Sequence, residues 1–186
     1  MKATDILMDE HRVIERVLLT LETAAGRLEQ GQAVRPGFFL EAADFIKGFA
    51  DGCHHQKEEG VLFKAMEAAG MPSAGGPLAV MLSEHELGRA YTRAMRVAAQ
   101  KLEAGDKTAL GSLVHNARAY VELLRQHIAQ EDGVLYPLAS RVIPSDVQDR
   151  LVEDFEHVEH EETGAGVHEK YLALADRLAK EMDQPG

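Results

Sequence analysis

Two segments of the chain, 73 residues apart, carry nearly the same series of side chains. The first reads His54-His55-Gln56-Lys57-Glu58-Glu59-Gly60-Val61-Leu62-Phe63, and the second His127-Ile128-Ala129-Gln130-Glu131-Asp132-Gly133-Val134-Leu135-Tyr136. Histidine, glutamate, glycine, valine, leucine and an aromatic recur at matching positions, so the chain contains an internal repeat. A shorter match precedes each segment, Glu10-His11 and Glu84-His85, at an offset of 74. The fold must therefore accommodate two related halves, each with the same pair of ligating side chains. The repeat also sets a register. It aligns His54 and Glu58, rather than His55 and Glu59, with His127 and Glu131.

The surrounding pattern is helical. Leu7, His11, Ile14, Leu18, Leu21, Ala25 and Leu28 step by four and three, as does the series Leu113, Ala117, Tyr120, Leu124, His127, Glu131, Val134 and Leu138. Both seams set ionisable groups among apolar ones, which is unfavourable unless something satisfies them. Breakers at Gly31 to Gly37, Gly70 to Pro77, Gly105-Asp106 and Pro144 predict helices over about 4–29, 38–69, 78–103 and 107–142. Short connections imply antiparallel neighbours, hence an up-down-up-down four-helix bundle. Ser145 and Gln148 read as a capping box opening a further helix to about Glu162. Gly164-Ala165-Gly166 breaks it, and a last helix runs to about Lys180. The expected organisation is all-α: a bundle over 1–143, a C-terminal helical extension packed on it over 144–182, and a frayed tail over 183–186.

Composition excludes several classes. A formal net charge of −11 argues against sequence-independent nucleic-acid binding and against docking on anionic lipid. No stretch approaches the roughly 20 apolar residues of a membrane span, and Met1 to Asp5 lack a signal peptide's apolar run. The expected location is the cytoplasm. The single cysteine, Cys53, rules out an intrachain disulfide and a cysteine-rich zinc site. Nine histidines in 186 residues are many.

Residues four apart on a helix share a face, so a histidine and a glutamate at that spacing point into one cavity. Two such helices, with single histidines from two others, supply four imidazoles and two carboxylates: His11, His54, Glu58, His85, His127 and Glu131. Bridging glutamates would give each of two ions two nitrogens and two oxygens. A water-derived bridge would then leave one position for a small molecule. Mixed nitrogen and oxygen ligation with an open position suits non-haem iron, and manganese or zinc also fit.

In these residues the chain resembles the hemerythrin-like, or HHE cation-binding, family over roughly residues 4–142. The family pattern is His, His-x-x-x-Glu, His and His-x-x-x-Glu on successive helices, matched here by His11, His54 with Glu58, His85, and His127 with Glu131. The resemblance implies two non-haem iron ions with an oxo or hydroxo bridge. It also implies a small diatomic or peroxide ligand: dioxygen, peroxide or nitric oxide is bound or made to react, with peroxide decomposition among the activities. A non-catalytic iron-storage or sensing module is the alternative. The sequence names no protein partner. Oxygen-carrying members have a further histidine where Arg89 stands, and an Asp at the offset of Asp132, so reversible oxygen transport is not carried over.

The remaining polar residues read more plainly. His55 and Glu59 lie 100° around an α-helix from the chosen pair, in an outer or surface position. Glu10 and Glu84 point away from the histidines that follow them and make poor partners for a ligand's second N–H. Cys53, Tyr120, Tyr136 and the methionines Met66, Met81 and Met95 read as packing, and His115 and His168 as surface positions. Leu151, Phe155 and Val158 form an apolar face that covers one end of the bundle. The competing reading brings Glu159 or His160 to the metals.

Overall fold

A computed structural model describes residues 2–35, 37–164 and 166–184, without the side chains of 161–163. The described residues are helical, with turns between helices and no strand among them. Six helical stretches follow one another: α1 (Ala3–Glu29), α2 (38–68), α3 (Pro77–Glu103), α4 (107–142), α5 (145–164) and α6 (Val167–Asp183). The breaks expected at Pro36 and Ala165, and the frayed end at Pro185 and Gly186, lie outside the described residues. No helix among the described residues is long and apolar enough to cross a membrane.

The first three helices end alike. Gly31, Gly70 and Gly105 take positive φ, and the next amide reaches back: Gln32 to the Arg27 carbonyl, Met71 to Met66, Asp106 to Lys101. Glycine adopts this left-handed stop without steric penalty. Pro144 forces Ile143 into extended backbone and so ends α4. The capping box expected at Ser145 does not form. Instead, the Gln148 side chain donates to the carbonyls of Ser140 and Ile143, satisfying the end of α4, and Pro144 occupies the N-cap position of α5.

Four turns are π-helical: Ile46–His55 and Glu58–Leu62 in α2, Glu131–Leu135 in α4, and Val158–Gly164 in α5. Bonding from i to i+5 widens a helix, so each residue rotates less than in an α-helix. This shifts the seam of α4. Val134, expected inside, is 62% exposed, and Leu135 and Tyr136 are buried instead.

Helix α1 packs on α4, α2 and α6, and α3 packs on α4 and α2. Two apolar clusters fill the interior. One holds Ile14, Ala50, Met95 and Leu124, and the other holds Leu7, Leu62, Met81 and Leu135. On each of the first four helices the histidine-bearing turn falls between a residue of one cluster and a residue of the other. The polar centre is therefore enclosed by hydrocarbon above and below. Leu151 and Phe155 of α5 join the second cluster, while Leu174, Ala175 and Leu178 of α6 join the first.

Gly48 explains how α6 seats on α2. A Cβ there would lie 1.9 Å from the Tyr171 hydroxyl and 2.0 Å from ring carbon Cζ. Gly48→Ala is expected to destabilise by about 1–3 kcal/mol through overpacking. With Tyr171→Ala already in place, the same change is expected to stabilise by up to about 1 kcal/mol through helix propensity. Urea unfolding of the parent and the three variants checks this, and an equal loss in both backgrounds would contradict it.

Candidate metal centre

His11, His54, Glu58, His85, His127 and Glu131 converge from four helices, none more than 1% exposed. They fall into two groups. Ligating atoms of His11, His54 and Glu131 lie within 4.8 Å of one another, and those of Glu58, His85 and His127 form a second group that also contains His55. Both glutamates reach both groups. Glu131 sets one oxygen 3.2 Å from His11 Nε2 and the other 3.2 Å from His127 Nε2. Glu58 Oε2 lies 3.7 Å from His54 Nε2 and 3.5 Å from His85 Nε2.

An outer ring of carboxylates fixes the imidazoles. His11 Nδ1 donates to Asp132 at 2.7 Å, His54 Nδ1 to Glu10 at 2.9 Å, His85 Nδ1 to Glu59 at 2.7 Å and His127 Nδ1 to Glu84 at 2.7 Å. Glu10 and Glu84 thus serve after all. Each points away from its own neighbour, as expected, but accepts from a histidine on a different helix. Cations hold this ring from behind: Arg12 on Asp132, Lys57 on Glu10, and Arg89 on Glu59 and Asp51.

With every Nδ1 committed outward, the Nε2 lone pairs face one another across the centre. His85 Nε2 and His127 Nε2 are 3.0 Å apart. His54 Nε2, Glu58 Oε2 and both Glu131 oxygens have no hydrogen-bond partner. Such an uncompensated buried group costs about 1–3 kcal/mol, more when charged. Lone pairs and carboxylate oxygens converging in a buried centre are a donor set for cations, and protein groups do not satisfy it.

Without an ion, protons partly fill the role. Burial, and then the charge of Glu131, push the Glu58 carboxyl well above its usual range. Burial alone would raise Glu131 too, but the imidazoles of His11 and His127, each 3.2 Å from one of its oxygens, carry it well below. Burial also works against protonating His11 and His127, yet their carboxylate partners raise both. His54, desolvated and beside His11, falls to about 4.

A family model, Hemerythrin HHE cation binding domain, matches residues 2–139, the span that carries all six side chains. The chain belongs to the hemerythrin HHE cation-binding family. It is also 32% identical over 179 residues to uncharacterized proteins of Mycobacterium bovis and Mycobacterium tuberculosis, covering 95% of this chain and 68% of each relative. No solved structure matches.

Two neighbours of this HHE centre were not legible from spacing. His55, expected outside, is 4% exposed and stacks on His85 with ring centroids 3.8 Å apart. Tyr136 does more than pack: its hydroxyl donates to Glu58 Oε1 at 2.7 Å and lies 3.3 Å from His11 Nε2. The repeat held the signal, since Tyr136 replaces Phe63 and adds one oxygen. Tyr120 is buried core, as expected.

The C-terminal helices reach the centre only indirectly. Glu159 binds Lys57 Nζ at 2.8 Å, Lys57 binds Glu10 at 2.5 Å, and Glu10 holds His54. His160 is exposed. His168, expected on the surface, is half-buried against Phe49, with Nδ1 3.8 Å from Cys53 Sγ. Glu10, Cys53, Glu159 and His168 are close enough to hold an ion. The Lys57 ammonium already binds two of them, and burial, with the Glu10 charge, pushes the Cys53 thiol up to about 12.

Ligands must lose protons to bind a metal. Glu58, His11 and His127 have raised proton affinities in the metal-free centre, so loading is expected to release protons and apparent affinity to rise with pH across the neutral range. Titration calorimetry with cobalt(II) in buffers of different ionisation heat measures the release. Affinity that is constant across neutral pH, with no proton released, would contradict it.

Proposed function

We propose that His11, His54, Glu58, His85, His127 and Glu131 hold two iron ions, with Glu58 and Glu131 as bridges, in an up-down-up-down four-helix bundle. The ring of contacts among α1 to α4 supports the bundle. The observation that carries the site is the inward convergence of Nε2 lone pairs with two carboxylates that each face both histidine groups. Imidazole with carboxylate ligation suits iron, and the family's cation-binding character agrees with it.

Bound there in the ferrous state, the pair would supply electrons to dioxygen or peroxide, or a coordination position to nitric oxide. The chain's own residues set the conditions. The two apolar clusters keep bulk water out, and the carboxylate ring fixes each imidazole's tautomer and orientation. The Tyr136 hydroxyl donates to one oxygen of Glu58 and stands 3.3 Å from His11 Nε2, on the edge of the centre. Burial, followed by the charges of Glu58 and Glu131, keeps that phenol protonated.

Anaerobically purified protein is expected to carry two irons per chain and to change its visible absorption when oxygen, peroxide or nitric oxide is added. Glu58→Ala and Glu131→Ala are each expected to lose the pair, because either removes a bridge. Two tightly held ions in both variants would overturn the assignment. Burial of all six side chains favours a second reading, a non-catalytic iron-storage or sensing module. Peroxide turnover that disappears in His54→Ala selects the enzyme, and stoichiometric binding without turnover selects the module.

A further inference from the structure

We propose that His55 is a seventh ligand, so that one ion takes three imidazoles, from His55, His85 and His127, and the other takes two, from His11 and His54. This rests on the metal-binding reading above and deepens it.

Four observations converge. A ring nitrogen of His55 lies within 4.8 Å of ligating atoms of Glu58, His85 and His127. Its ring is nearly parallel to that of His85, at an interplanar angle of 13°, so two imidazoles stand side by side next to the same carboxylate. His55 Nδ1 faces Asp51 Oδ1 at 3.4 Å, repeating the outward carboxylate contact made by the other four histidines. That arrangement commits Nδ1 and leaves Nε2 for an ion.

Arg89 supplies the fourth. Its Nε donates to Asp51 at 2.7 Å, and its guanidinium also binds Glu59, the partner of His85. A single cation thus holds the two carboxylates that orient His55 and His85. Arg89, one turn after His85 on α3, is therefore a positioning residue for both rings. His55 closes the π turn Ile46–His55, where the rotation per residue is smaller than in an α-helix and His54 and His55 are both buried.

A cavity of about 250 Å³, lined by Asp51, His55, Arg89 and Tyr120 among others, adjoins the outer side of His55. It gives free imidazole a way to replace a truncated His55 side chain.

The test uses the full chain loaded with cobalt(II) and proton NMR in water. Each histidine bound through Nε2 contributes one solvent-exchangeable, hyperfine-shifted Nδ1–H signal. Five such signals are expected. His55→Gln is expected to lose one and to weaken one of the two cobalt sites. Loss of an outer partner alone costs about 10–100-fold in metal affinity, so loss of a ligand should exceed that. Added imidazole is expected to restore the second ion in His55→Ala. Two bound ions with only four signals would overturn the role of His55 and leave the six-residue site standing. No bound cobalt in the parent protein would sink both.

Discussion

Five bonds from imidazole Nδ1 to carboxylates decide what the rest of the structure can be. Each turns a ring so that Nε2 points inward, and each is set on a helix other than that of its acceptor, except for His55 with Asp51. The consequence is a buried centre in which lone pairs and two carboxylates face one another. Hydrocarbon from two separate clusters encloses that centre. An arrangement this unfavourable for a bare chain is coherent as a receptor for cations.

The backbone cooperates through its π turns. Glu58 and Glu131 each open one, in matching repeats, and His54 and His55 close another. Widening the helix at these places changes the rotation per residue and so shifts which side chains turn inward. The outer cations extend the same logic toward the surface. Lys57 is the furthest-reaching case, linking Glu159 of α5 to Glu10 and so to His54. Helix α5 therefore holds an element of the centre as well as covering apolar surface.

Much of this was legible in the sequence. The four–three seams located α1 and α4, glycine and proline located the ends of most helices, and the repeat identified six side chains that do converge. What escaped has a common cause. Val134 and His55 were both placed by α-helical rotation, and both lie in π turns, which shift every later position. Glu10 and Glu84 were judged against their own helix, although their partners stand on another. Long-range pairing of that kind leaves no periodic trace. The Gln148 side chain, likewise, turned back to the preceding helix end, a choice that only the path through Pro144 decides.

If the folded chain is incomplete without cations, thermal unfolding of stripped and ferrous-loaded protein under anaerobic conditions shows it most directly. A ligand at a thousandfold over its dissociation constant adds about 4 kcal/mol, which for a chain of this size means roughly 10 °C or more in Tm. A rise of at least that order is expected on adding iron, reversed by chelation. Equal Tm values for the stripped and loaded protein would contradict it.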